Sequence, residues 1–324
     1  MNGQPVVVGV DLGGTHVRAA VVSEGGEILS FSKTNIEAQK GVEEGIRRIQ
    51  GLIRQVLESA GVKKAAGIGF GSTGPLDRQR GRIQNPYTLP GWEDVDIREP
   101  LCREFDAPLV MENDADAAAL GEGWLGSGRG TSRFALVTVG TGVGLGVVID
   151  GKIYRGMGGE HPEGGHQVLD PAGPPCYCGA RGCLESLASG PAIAEAAGRL
   201  AAEAPGSRLH SLLKSGAALD SVQVIQAARE GDELAQKVVE NAAAYLGLGL
   251  VNLMLFFLPE CIALGGGVMK NYDLFFPVIQ RVINQHDVVI PARRVRVVPA
   301  SLGDKAGVLG AARAIWMEVK GRLQ

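Results

Sequence analysis

The stretch Val6–Val22, VVVGVDLGGTHVRAAVV, decides the fold, because it places two apolar runs on either side of a glycine-rich turn at 11–15. A similar stretch, FALVTVGTGVGLGVVI, returns at 134–149 with its glycine turn at 140–144. Apolar runs joined by short glycine turns predict antiparallel strands, and each stretch leads through a further turn to a third strand candidate. We therefore predict two copies of one supersecondary unit, and hence two related halves of the protein.

The remaining pattern mixes strands with helices. Helices are predicted over 41–60, after 112 and over 306–320, and strands over 65–71, 109–112, 261–264 and 295–299. This mixture predicts the α/β class. We place one α/β domain at 1–115 plus 305–324, with the first glycine turn, and a larger one at 116–304, with the second.

Composition excludes several classes of protein. Of the 324 residues 48 are glycine, about twice the usual share, which indicates many turns or close backbone contacts. A net charge of −3 argues against a nonspecific nucleic-acid binder. The first residues do not read as a signal peptide, and five cysteines do not read as a secreted disulfide framework. The uncharged stretch 241–259 is interpreted as a buried core helix, so we expect a cytoplasmic protein without a membrane partner.

Both glycine turns are candidate phosphate sites. Asp11 at a strand end could hold a Mg²⁺-bound water, Gly13 and Gly14 allow backbone amides to approach phosphate oxygens, and Thr15 adds a hydroxyl. Thr141 and Gly142 repeat the pattern in the second turn. Neither turn reads as a Walker loop or as a dinucleotide fingerprint, since strands follow both turns. The alternative is that each is an ordinary hairpin turn.

The segment 112–116, Glu-Asn-Asp-Ala-Asp, is a second candidate site. Asn113 can exchange hydrogen bonds with vicinal hydroxyls, and Asp114 can take a proton from one of them. The alternative is that Asn113 or Asp114 only caps the helix that follows. A cap and a catalytic base can also be neighbours at one helix start, where the helix dipole favours an ionised carboxylate.

The segment 163–185 combines metal ligands with carboxylates. His166, Cys176, Cys178 and Cys183 form a Cys₃His set that predicts a closed, structural zinc site. Glu163 and Glu185 flank this loop and could accept hydrogen bonds from a polyol. The alternative is buried thiols beside a surface histidine. We identify no partner for His161, His210 or His286, and interpret them as surface or structural residues.

In this order, the motifs closely resemble those of the ROK family of sugar kinases and related repressors, over essentially the whole chain. The resemblance implies an actin-like ATPase fold, with two α/β domains around a cleft, and phosphoryl transfer from Mg·ATP to a sugar hydroxyl. Asp114 then looks like the general base. The implied hexose-binding set is Asn113, Asp114, Glu163, His166 and Glu185; the implied zinc ligands are His166, Cys176, Cys178 and Cys183; the implied nucleotide set is Asp11, Gly13, Gly14, Thr15, Thr141, Gly142, Gly266 and Gly267.

The choice of hexose is balanced between subfamilies. The segments 176–178 and 85–92 resemble ROK glucokinases, whereas His-Pro-Glu at 161–163 resembles ROK fructokinases. Ser-Thr-Gly-Pro at 72–75 departs from the Pro-Gly-Pro of many relatives. Glucose is favoured, with fructose, mannose, N-acetylmannosamine and N-acetylglucosamine as alternatives.

A regulator is the alternative of a different class. ROK repressors carry an N-terminal helix-turn-helix domain, and only ten residues precede Asp11, so we expect no DNA-reading module and no nucleic-acid partner. The resemblance also implies a homodimer or homotetramer.

Overall fold

The computed structural model describes residues 4–216 and 218–323. The strands are β1 (Val6–Leu12), β2 (His16–Ser23), β3 (Ile28–Asn35), β4 (Ile68–Ser72), β5 (Leu76–Asp77), β6 (Arg82–Ile83), β7 (Val95–Asp96), β8 (Leu109–Asn113), β9 (Arg133–Val139), β10 (Val143–Ile149), β11 (Lys152–Ile153), β12 (Cys261–Gly265) and β13 (Arg296–Pro299). The helices are α1 (Val42–Ser59), α2 (Arg98–Phe105), α3 (Asp114–Leu125), α4 (Leu184–Ala188), α5 (Gly190–Ala201), α6 (Arg208–Lys214), α7 (Ser221–Arg229), α8 (Glu233–Phe257), α9 (Tyr272–Gln285) and α10 (Ala306–Leu323).

The two five-stranded sheets have the same strand order. One runs β3-β2-β1-β4-β8 and the other β11-β10-β9-β12-β13, so each glycine hairpin continues into two later strands. In the first sheet β1 is antiparallel to β2 and parallel to β4, which is parallel to β8. In the second sheet β12 is parallel to both β9 and β13. The repeated unit read from 6–22 and 134–149 is confirmed, and so is the α/β class.

Contacts between Cα atoms divide the chain into two compact units. The first comprises 1–132, 146–161 and 301–324, and the second comprises 133–145 and 162–300. The domain boundaries predicted from the sequence stay a prediction.

The first sheet lies between two apolar layers of the first unit. Val6, Val8 and Val10 of β1 pack with α1 on one face, while Val7 packs with α10 on the other. This alternation follows from the two-residue repeat of a strand, which sends successive side chains to opposite faces. The run of five residues without a polar side chain that opens β1 is therefore what a sheet covered on both faces requires.

Helix α8 forms the centre of the second unit, where it packs against α4, α5, α7 and α9. Within the described residues it is the one helix long and apolar enough to cross a membrane, and 61% of its most apolar window is buried in the protein. This degree of burial is typical of a core helix and agrees with the interpretation of 241–259 as one.

Helix α10 lies against the first sheet at backbone distance. A Cβ placed on Gly69 of β4 would lie 1.8 Å from the carbonyl oxygen of Ala311, and one on Gly310 would lie 1.5 Å from that of Ala117 in α3. Such contacts are far inside van der Waals range, so only glycine allows β4, α10 and α3 to pack at this distance.

We predict that Gly69→Ala destabilises the protein by about 3 kcal/mol or more, because a backbone oxygen must move to admit the methyl group. Urea unfolding at neutral pH measures this change. The matched control is Gly51→Ala in α1, where an added Cβ meets nothing within 4 Å. That variant should gain about 0.5–1 kcal/mol, since alanine favours the helix. Equal effects of the two substitutions would contradict the assignment of Gly69 as a contact position.

Candidate active site

Three parallel strands of the first unit end at one edge of their sheet. Leu12 of β1 pairs with Ser72 of β4, and Ser72 pairs with Asn113 of β8. Ligands of open α/β sheets bind outside the carboxyl ends of parallel strands. The register therefore brings Asp11, Asn113 and Asp114 to the edge where such a ligand would lie.

Asn113 and Asp114 start helix α3. Asn113 is its N-cap, and its Oδ1 accepts hydrogen bonds from the amides of Ala115, at 2.8 Å, and Asp116, at 3.4 Å. Asp114 is the first helical residue, and its Oδ1 also accepts from the Ala115 amide, at 2.8 Å. The capping interpretation of Asn113 is confirmed. Asp114 therefore stands directly after the capping residue, at the helix start where the sequence predicts a general base.

The environment of Asp114 favours its protonated form. Burial, followed by the negative charge of Asp11, raises the pKa of Asp114 to about 6, although the Ala115 amide and the charge of His161 act in the opposite direction. Burial also raises the pKa of Asp11, against the opposing effect of Arg18, whose Nη1 lies 3.2 Å from Asp11 Oδ2. A carboxylate shifted toward neutral pH at a strand edge has the properties of a general base.

Backbone hydrogen bonds close the two glycine turns in similar ways. The amide of Gly13 donates to the carbonyl of His16 at 2.9 Å, and that of Gly140 donates to Gly142 at 2.9 Å. In the first turn, a Cβ on Gly14 would lie 2.9 Å from the carbonyl oxygen of Thr88. The segment 85–92 therefore packs directly on the turn at 11–15.

Two buried ion pairs near Asp114 were not foreseen. His161 Nδ1 lies 3.0 Å from Oδ1 of Asp116, which is 2% exposed, so the expectation that His161 lacks an identifiable partner is corrected. Glu112 is buried beside Arg155, with which it forms an ion pair, and Arg78 Nη1 lies 3.9 Å from its Oε1. The partners are far apart in sequence and share no motif spacing, which explains why sequence reasoning missed them.

Glu185 lies beside the second glycine turn. Its Oε2 accepts a hydrogen bond from the Val143 amide at 2.8 Å, and a Cβ on Gly142 would lie 2.5 Å from the same oxygen. Both carboxylates predicted to bind a polyol, Glu163 and Glu185, lie in the second unit together with His166. Glu163 is exposed, and its charge acts on the phenol of Tyr177, as does that of Glu185.

The predicted metal ligands do come together. The ligand atoms of His166, Cys176, Cys178 and Cys183 all lie within 4.8 Å of one another. Sγ of Cys178 is 3.6 Å from Sγ of Cys183, and Sγ of Cys176 is 3.4 Å from His166 Nδ1. Zn–S bonds of about 2.3 Å and Zn–N bonds of about 2.0–2.1 Å place tetrahedral ligands at similar separations. The group therefore fits a four-coordinate ion.

A cavity of about 830 Å³ lies within the second unit. It is lined by Gly140, Thr141, Gly190, Pro191, Ala194, Leu219, Asp220, Ser221, Val222, Ile225, Gln226, Arg229, Gly267, Val268, Lys270 and Asn271. Thr141 and Gly267 of the predicted nucleotide set are thus brought to one cavity. At its rim the guanidinium of Arg229 is held by both carboxylate oxygens of Asp273, at 2.7 and 2.8 Å.

The sequence pattern of the ROK family matches residues 7–318. The chain belongs to the ROK family. It is 34% identical to a glucokinase of Thermotoga maritima over 97% of this chain and 98% of that protein. It is also 29% identical to a xylose repressor of Caldicellulosiruptor bescii, over 94% of this chain and 76% of the repressor.

Solved ROK structures share the fold. The crystal structure of a ROK family glucokinase from Streptomyces griseus in complex with glucose and AMPPNP is 32% identical, with a TM-score of 0.78 over 95% of this chain and 98% of that chain. The actin-like ATPase fold implied by the resemblance is thereby confirmed.

We predict that Asp114→Asn stabilises the protein at neutral pH. Because the pKa of Asp114 rises from 3.8 in the unfolded chain to about 6 in the fold, the unfolded chain ionises first as the pH increases. The free energy of unfolding therefore falls between about pH 4 and pH 6, and the cost is full above that window. Asparagine removes the cost, which reaches about 3 kcal/mol at pH values well above 6.

Urea unfolding between about pH 5 and pH 8 tests this, since the gain should shrink as the pH falls. Asp232→Asn is a control of opposite sign. Burial raises the pKa of Asp232, but hydrogen bonds from Ala235, Ser207 and Arg208 outweigh it and the net shift is downward. That variant should lose stability at neutral pH. A gain for Asp114→Asn that does not depend on pH would contradict the raised pKa.

Proposed function

We propose that the chain is an ATP-dependent glucokinase, a transferase that converts glucose to glucose 6-phosphate, a reaction of glycolysis. The observation that carries this function is the half-buried carboxylate of Asp114, with its pKa raised to about 6, at the strand edge shared with Asp11. The chain also belongs to the ROK family, and it matches a glucokinase of that family over nearly the full length of both proteins. This supports the same conclusion.

Asp114 is the general base of the reaction. Its Oδ1 is engaged by the Ala115 amide, so Oδ2 takes the proton of the glucose C6 hydroxyl as that oxygen attacks the γ-phosphorus and ADP leaves. Asn113 is held by its two capping hydrogen bonds, which present its amide group to neighbouring hydroxyls of the sugar. Glu163, His166 and Glu185 supply further hydroxyl partners from the second unit.

ATP binds through both glycine turns and the cavity of the second unit. The apolar side chains of Val222 and Ile225 on α7 suit a flat base, and Gly266 and Gly267 allow it to approach the backbone. Thr141 and Gly142 face the phosphates, as do Gly13, Gly14 and Thr15 of the first turn. Asp11 offers carboxylate oxygens, the ligand type that Mg²⁺ prefers, and Mg²⁺ bound there would neutralise phosphate charge.

His166, Cys176, Cys178 and Cys183 hold a structural zinc ion. Four protein ligands would leave no open position, so its chemistry is to fix the loop and the ring of His166 rather than to activate water. Burial raises the pKa of Cys183 to about 12, so a cation is the means by which this thiol becomes a thiolate at neutral pH.

The enzyme acts in the cytoplasm as a homodimer or homotetramer, with hexose and ATP as ligands and no nucleic-acid or membrane partner. The negative net charge and the buried core helix α8 support this proposal. At the end of α8, Leu255, Phe256 and Leu258 are exposed, Phe256 by 80%, which suits contact with another copy.

Two alternatives differ in what they predict for turnover. A ROK kinase for fructose, mannose, N-acetylmannosamine or N-acetylglucosamine would use the same Asp114. A sugar-responsive regulator, supported by the matches to xylose repressors, would bind sugar without releasing ADP. The presence of Asn113 beside Asp114, and the raised pKa of Asp114, favour a kinase.

We predict ADP release with glucose exceeding that with each of the other four hexoses, and its loss by about 10²–10⁴-fold in Asp114→Asn. A coupled assay measures turnover, and calorimetry with glucose shows that the variant still binds. Asp106→Asn is the matched control, since Asp106 is exposed and asparagine tolerates its left-handed backbone. Turnover near the wild-type level in Asp114→Asn would disprove the base. No ADP release with any hexose would disprove the kinase.

We predict that Cys178→Ser loses zinc and glucose affinity together while binding of an ATP analogue is retained. Metal content by mass spectrometry should fall from one zinc per chain to well below one. Cys102→Ser, at a cysteine outside the ligand group, should keep both properties. A wild-type protein that is free of metal yet binds glucose with full affinity would contradict the zinc site.

A further inference from the structure

Tyr177 lies between two of the metal-ligand cysteines, and its side chain is 78% exposed. Its hydroxyl nevertheless reaches back to His166, with Oη 3.1 Å from Nε2. The two rings meet edge to face, with centroids 5.1 Å apart. Because so exposed a ring has little packing, these polar contacts set its position.

A metal ion on His166 would fix the direction of the hydrogen bond between His166 and Tyr177. Nδ1 of His166 faces the sulfur of Cys176, so when a metal takes Nδ1 the hydrogen of the ring is on Nε2 and is donated to Tyr177 Oη. Glu185 lies near the phenol, and its charge acts on it, as does that of Glu163.

A sugar hydroxyl offers the same pattern, one donor and one acceptor site. In the proposed function, His166 and Glu185 are hydroxyl partners of the hexose. The phenol of Tyr177 makes the contact with Nε2 of His166 that such a hydroxyl would make, and two oxygens cannot occupy one position.

We propose that Tyr177 is a latch: its hydroxyl fills the subsite beside Nε2 of His166 when no hexose is bound, and the side chain swings out when a hexose hydroxyl replaces it. This inference rests on the proposed function. Since the ring is mostly exposed, its departure costs little packing, and the hydrogen bonds lost by the phenol are remade by the sugar.

The latch lowers the apparent affinity for hexose. A site that must first open binds with its intrinsic affinity multiplied by the open fraction. Without the hydroxyl the ring has no hydrogen bond to Nε2 of His166, so the open fraction rises. A hexose that lacks the hydroxyl that replaces the phenol binds without displacing Tyr177. Its affinity therefore does not depend on the latch.

Tyr177→Phe in the zinc-loaded full chain tests the latch. We expect the KM for glucose, and its dissociation constant by calorimetry, to fall about three- to tenfold, with kcat unchanged. Tyr245→Phe is the matched control, because it removes a phenol that donates to Asp170 Oδ2 at 3.2 Å in the same unit. The control should not change glucose affinity. A constant or weaker affinity in Tyr177→Phe would overturn the latch.

Analogues of glucose that each lack one hydroxyl, at C1, C2, C3 or C4, identify the exchange. For the analogue that lacks the replacing hydroxyl, wild type and Tyr177→Phe should bind equally. An undiminished gain with all four analogues would overturn the exchange of one hydroxyl for another.

The outcomes separate the two proposals. Wild type that turns over glucose with the same affinity as Tyr177→Phe contradicts the latch and leaves the glucokinase standing. Wild type that neither binds nor phosphorylates any hexose contradicts both. Equal zinc content in the two proteins shows that the substitution has left the metal loop intact.

Discussion

The fit of helix α10 against the first sheet is the constraint on which the catalytic edge depends. The glycine at 69 lets the helix backbone reach β4, the neighbour of β8, and Gly310 lets it reach α3, which begins at Asp114. The same helix offers Gly307 to the carboxylate of Asp11, where a Cβ would lie 2.6 Å from Cγ. Overpacking at any of these positions would therefore move a carboxylate as well as a helix.

Holding two carboxylates at one edge has an energetic consequence. The negative charge of Asp11 raises the pKa of Asp114, and burial raises the pKa of both carboxyl groups. The fold keeps this arrangement although it lowers stability at neutral pH, as expected where activity needs a poised base. Arg18, the cross-strand partner of Asp11 in β2, offsets part of the cost at Asp11.

What the sequence predicts here is local. The two hairpins, helix α1 and the metal-ligand group all follow from residues close together in the chain, because period and ligand spacing act over short distances. The ion pair of His161 with Asp116 joins distant segments, and the approach of α10 depends on which glycine faces which carbonyl. Neither leaves a periodic signal. Tyr177 belongs to no motif in the sequence, and its contact with His166 exists only once the loop is folded.

Glu185 lies two residues after the predicted metal ligand Cys183 and also contacts the second glycine turn. Only Leu184 separates Glu185 from Cys183, the N-cap of α4, so the proposed zinc ion would fix where this helix begins. Its Oε2 holds the Val143 amide at the phosphate turn, and Gly142 has no side chain that could displace it. If Glu185 binds a sugar hydroxyl as proposed, the same carboxylate also holds the turn at 140–144, so the proposed hexose and phosphate contacts depend on one side chain.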